Sequence, residues 1–234
     1  MKRTSLWKTT APWSWREFVF LLLLEFVFVI AVVKHGVQSL YLSWLGNPLY
    51  AGTLTGFTIA IVLLAGLYFI ALRPHRLPWA EIGLRRFPVK DWWRILLWIL
   101  VLIVLSAAVM LLTISLLGNT VDNSKTESLR QNVTWFPVLI AIITAGVISP
   151  LYEDLFYRGF MYRWLRARVG IGWGIMISSI IFTAAHYPTL NAMPVNFIAG
   201  VILAWAYERT GSVVPAMIIH GVTNTIAILL TVTG

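Results

Sequence analysis

The chain contains no cysteine, which rules out disulfides and thiolate-bound metal and leaves the redox compartment unreadable. Charge is also scarce. Only 12% of the 234 residues are Asp, Glu, Lys or Arg, about half of what a water-soluble domain carries. Long apolar runs leave little room for the alternating pattern of a transmembrane β-barrel. Irregular backbone cannot face lipid, so helices remain. No small-residue cleavage site follows the first apolar run, which is therefore read as a retained span, not a signal peptide. What is present agrees: 59% of residues are hydrophobic and mean hydropathy is +0.82. The fold class expected is all-α, a polytopic membrane helical bundle.

Apolar segments run roughly over 17–37, 50–72, 92–117, 136–157, 171–186, 193–207 and 213–231. A span needs about 20 residues, so about seven transmembrane helices are expected, the fifth and sixth short enough to be enclosed by neighbours. The division expected is an amino-terminal three-span half, 1–135, and a four-helix core, 136–234, in one compact membrane domain.

Net charge is +9, but the basic residues sit in short loops, so no nucleic acid is implied. They set orientation instead. Fifteen of the 18 Lys and Arg fall on one side: Lys2, Arg3, Lys8 and Arg16, six in 73–94, four in 158–168, and Arg209. Only Lys34, Lys125 and Arg130 fall on the other. The expectation is a cytoplasmic N-terminus and an external C-terminus. The segment 73–94 combines basic residues with Trp79, Trp92 and Trp93, a pattern that suits an interfacial segment on an anionic inner leaflet. Asn132-Val133-Thr134 fits a glycosylation sequon, a match too common to carry weight.

Ionisable groups inside a membrane are costly and usually functional. In Ser149-Pro150-Leu151-Tyr152-Glu153-Asp154-Leu155-Phe156-Tyr157-Arg158-Gly159, a helix continuing to about Trp164 or Leu165 puts Asp154 and Arg158 on one face. Glu153 is rotated by about 100° from Asp154. The salt bridge expected is Asp154–Arg158, which leaves Glu153 to point elsewhere. A carboxylate without an adjacent cation in a low-dielectric medium is suited to act as a general base. His186 ends the fifth segment, and His220 and Asn224 share a face of the last. Any one of these could be a structural group. Depth links them. At 1.5 Å per residue from the expected cytoplasmic helix ends, Glu153 lies about 18 Å in and His186 about 23 Å. His220 and Asn224 lie about 10–17 Å in. Three helices thus place polar groups in one layer.

Glu153-Asp154-x-x-x-Arg158, Phe182-x-x-x-His186 and His220-x-x-x-Asn224, in that order, resemble the CPBP family of type II CAAX prenyl proteases and bacteriocin-processing (Abi) proteins. The resemblance covers about 136–231, and Glu81-Ile82-Gly83-Leu84 is similar to the family's amino-terminal half. It implies an intramembrane endopeptidase of glutamate type. Glu153 and His186 would activate a water, and His220 and Asn224 would stabilise the oxyanion. Asp154 and Arg158 would support them, and Phe182 would pack. The family usually has Glu-Glu where this chain has Glu153-Asp154; an Asp still reaches the arginine. No cofactor is implied. The rival is zinc held by Glu153, His186 and His220, although no His-Glu-x-x-His helix is present. The partners implied are a membrane-associated peptide or protein substrate and the bilayer, in a bacterial plasma membrane. An inactive immunity or regulatory protein of the same fold is the alternative. A small transporter ranks third, because no internal repeat is evident. Glu25, mid-span in the first segment and outside the resemblance, is read as a helix–helix hydrogen bond.

Overall fold

The structure, a computed structural model, describes residues 11–118, 124–131, 133–187 and 189–233, without the side chains of 117, 124–126 and 191. Lys2, Arg3, Lys8 and Asn132, noted above, lie outside the described residues. Every regular element described is helical.

Helix α1, Trp15–Leu45, opens on a capping box in which Ser14 and Glu17 satisfy each other's orphan groups. Its middle, Leu24–Val37, winds with the wider i→i+5 turn. It ends at Gly46, in the left-handed conformation that glycine supplies cheaply. Helix α2, Pro48–Leu72, starts with Asn47 capping two backbone N–H groups and Pro48 in the first turn. Helix α3, Trp92–Leu117, is the most lipid-like of the set. A short polar helix α4, Ser124–Gln131, leads to α5, Trp135–Ala184. Gly170, at φ 82 and ψ 178, breaks α5 into two arms. Helices α6, Met193–Thr210, and α7, Val214–Thr233, complete the chain.

Five stretches are long and apolar enough to cross a membrane: α1, α2, Val89–Leu116, α5 and α7. The expected count of seven is not confirmed, for two reasons. The segments 136–157 and 171–186 belong to one bent helical stretch, and Met193–Thr210, which carries Glu208 and Arg209, is not among the five.

One core cluster runs through both halves of the sequence. It joins Leu21, Leu63 and Leu67 of α1 and α2 to Phe156, Phe160 and Phe182 of α5. The segment 73–94 is held against this body. Gly83 accepts a backbone hydrogen bond from Val213 at 2.9 Å. Glu81 pairs with Arg163, and Gly159 lies so close to Ile82 that a Cβ would overlap the Ile82 carbonyl. A second close approach positions the site. Gly221 of α7 lies against Gly146 of α5, and a side chain there would collide with the Gly146 carbonyl oxygen. Small residues of this kind let membrane helices come together tightly.

Candidate active site

The local sequence of α5 settles the two adjacent acids differently. Ser149, one turn before, donates its hydroxyl to Glu153 Oε1 at 2.8 Å. Asp154 Oδ1 lies 3.1 Å from Arg158 Nη1, four residues on. Helical spacing produces both contacts. Asp154 is 0% exposed and Arg158 2%. The guanidinium also sits over the Phe182 ring, 4.1 Å from its centroid, an attraction that gains strength away from water.

His220 is brought between the two acids by the Gly146–Gly221 approach. Its Nδ1 donates to Asp154 Oδ2 at 3.2 Å, and its Nε2 lies 3.8 Å from Glu153 Oε2. Asp154 thus holds Arg158 with one oxygen and orients His220 with the other. Such an arrangement fixes an imidazole by its Nδ1 and aims the other nitrogen.

His186 follows the second arm of α5. Its Nδ1 donates to the Phe182 carbonyl at 2.8 Å, an assignment made from the acceptor-only partner. Nε2 is then the nitrogen with a free lone pair. The ring packs on Phe182, with centroids 4.6 Å apart. Phe182 therefore does more than fill space: it carries Arg158 on its face and meets both histidines.

Glu153 and His186 line the same cavity, of about 600 Å³, together with Ser149, Tyr152, Tyr157 and Ala145. His220 backs Glu153 and is not part of that lining. Asn224 donates its amide to the Ala145 carbonyl at 2.9 Å. It is thus anchored to a wall residue, and among the described residues it has no hydrogen bond to Glu153, His186 or His220. Also among the described residues, no three His, Asp or Glu side chains gather closely enough to hold a metal ion.

Two cavity residues were read as bland in the sequence. Glu25 of α1 accepts a hydrogen bond from Tyr157 at 2.8 Å, and Lys34 donates to the Ala185 carbonyl, beside His186, at 2.9 Å. The signal available for both was a charged residue inside an apolar run.

Comparison with known proteins bears on the second half of the chain. Residues 134–226, about two fifths of the chain, match the family model "Type II CAAX prenyl endopeptidase Rce1-like". A 24.3 kDa uncharacterized protein of Escherichia coli is 29% identical over 96 residues, covering 39% of this chain and 44% of that protein. The chain thus aligns with less than half of that relative's length. No solved structure matches the chain. Over residues 134–226 the chain is thus similar to a family of CAAX prenyl endopeptidases, and its described residues include helices long and apolar enough to cross a membrane.

Proposed function

We propose that this chain is an intramembrane endopeptidase that cleaves a membrane-associated peptide or protein with a water activated by Glu153. The observation that carries the reading is the sharing of one cavity by Glu153 and His186, with His220 fixed behind Glu153 by Asp154.

In this reading the water sits between Glu153 Oε2 and His186 Nε2. Glu153 takes a proton as the water attacks the scissile carbonyl carbon. The carbonyl π electrons move to oxygen, giving a tetrahedral oxyanion. His220, held between the two acids, supports that charge from behind Glu153. Asn224 has two amide N–H donors, of which Ala145 occupies one. The other is available to the oxyanion, and donors aimed at developing charge are often the largest catalytic contribution. Collapse expels the amine, which takes the proton from Glu153. Arg158 is not among the residues that line the cavity and serves by holding Asp154.

The test is a cleavage assay on a membrane peptide in detergent, with and without a strong chelator. Glu153→Gln keeps size and hydrogen bonding but cannot accept the proton. It should lower turnover by about 10²–10⁴ while leaving helical content unchanged. Full activity in Glu153→Gln would reject the mechanism. Loss of wild-type activity to the chelator, restored by zinc, would transfer the case to metal chemistry.

A further inference from the structure

The amino-terminal helix supplies a charged wall to the cavity, and its chemistry points to what part of a substrate lies there. Glu25 interrupts the apolar run Leu21-Leu22-Leu23-Leu24 and Phe26-Val27-Phe28-Val29. It is 5% exposed, yet it lines the cavity beside Glu153. Tyr157 satisfies Oε1. Oε2 is buried and, among the described residues, has no hydrogen-bond partner.

A helix–helix tie does not need this. A neutral amide accepts a tyrosine hydroxyl equally well, so the tie alone does not call for a carboxyl group. A buried carboxyl oxygen without a hydrogen-bond partner is itself costly. Lys34, the cation of the same helix that lines the cavity, has its ammonium on the Ala185 carbonyl. Arg158 lies outside the lining, against Asp154 and Phe182. The cavity therefore presents two acidic side chains, Glu25 and Glu153, and Lys34, whose ammonium holds the Ala185 carbonyl. The rings of Tyr152 and Tyr157 stand on the same wall, and aromatic faces also favour cations.

We propose that Glu25 is a specificity-determining residue, whose free oxygen receives the side chain of a lysine or arginine in the bound substrate. The proposal rests on the endopeptidase reading and names a feature of its substrates. A basic residue would be drawn from the headgroup region along an anionic wall and would pair with Glu25, with the neighbouring peptide lying along the Glu153–His186 face.

The experiment measures binding, so it does not depend on cleavage. The full chain carrying Glu153→Gln is reconstituted in bilayer discs. The probes are dye-labelled leucine–alanine peptides, each with one lysine, and twins with norleucine in its place. The lysine is walked through six central positions. At one or two adjacent positions the lysine peptide should bind about tenfold or more tightly than its twin, the effect of a charge-assisted hydrogen bond. Adding Glu25→Gln, whose amide still accepts from Tyr157, should reduce that ratio to less than about twofold. Glu25→Lys should reverse the preference toward a glutamate peptide. Equal binding of every twin pair, or a lysine preference that survives Glu25→Gln, overturns the proposal. Uniform weakening of all peptides in Glu25→Gln also overturns it, because that marks a purely structural role. The endopeptidase reading fails separately, when Glu153→Gln in the cleavage assay retains full activity.

Discussion

Asp154→Asn is a decisive perturbation of the polar centre, because it removes a charge and little else. The variant keeps the side-chain shape and an oxygen that can accept from His220 Nδ1. It leaves the Arg158 cation without its counter-charge at a position 2% exposed. Removing one partner of a buried ion pair costs about 3–5 kcal/mol. The Phe182 ring lies beneath the guanidinium in both proteins and cancels in the difference, so the loss expected is about 3–5 kcal/mol. Arg158→Met alone should also destabilise, by stranding Asp154. The double variant should cost about 2 kcal/mol less than the sum, because neither charge is then left unpaired. Unfolding in mixed micelles, titrated with a denaturing detergent and followed by tryptophan emission, measures all three; the chain has 12 tryptophans. A loss below about 0.6 kcal/mol for Asp154→Asn, the average of polar contacts between membrane helices, would refute the reasoning. So would strict additivity in the double variant. Asp154→Glu serves as the control and should keep both stability and activity.

Two further expectations follow from packing and charge. Gly221→Ala should cost about 1–3 kcal/mol in the same titration, because its Cβ would meet the Gly146 carbonyl. Gly172→Ala, which faces open space, should change stability by less than about 0.5 kcal/mol. Reporter fusions placed within 118–131 should read as external and those within 73–94 as cytoplasmic; the reverse pattern would sink the orientation drawn from the basic residues.

Some of this site was legible in the sequence because it is local. Asp154 and Arg158 are four residues apart on a helix, and that spacing alone predicts their pairing and the separate direction of Glu153. The common depth of Glu153 and His186 follows from apolar run lengths. The position of His220 between both acids was not legible. It depends on the rotation of α7 about its axis, which is set by the contact of Gly146 with Gly221 across two helices. Nor was the partner of Glu25, because Tyr157 lies 132 residues away. The segment 73–94 was read from its charges and tryptophans as a surface element. Its hold on the bundle comes from Gly83, Glu81 and Ile82, whose partners are distant in sequence. The span count differs because 136–157 and 171–186, two apolar segments in the sequence, fall in one stretch that Gly170 breaks into two arms, and because Met193–Thr210 carries Glu208 and Arg209.

The pairing of Asp154 with Arg158 also bears on how the protein is made. His220, the other partner of Asp154, is 66 residues further along the chain. When the first arm of α5 enters the bilayer, α7 has yet to be synthesised. A lone aspartate and a lone arginine would each penalise entry by about 2.5–3.5 kcal/mol. Within one helical turn they enter as a neutral unit, and Ser149 likewise serves Glu153 from the same segment. The helix thus carries its own compensation through biosynthesis, and the late arrival of His220 joins a self-paired segment to the last helix behind Glu153.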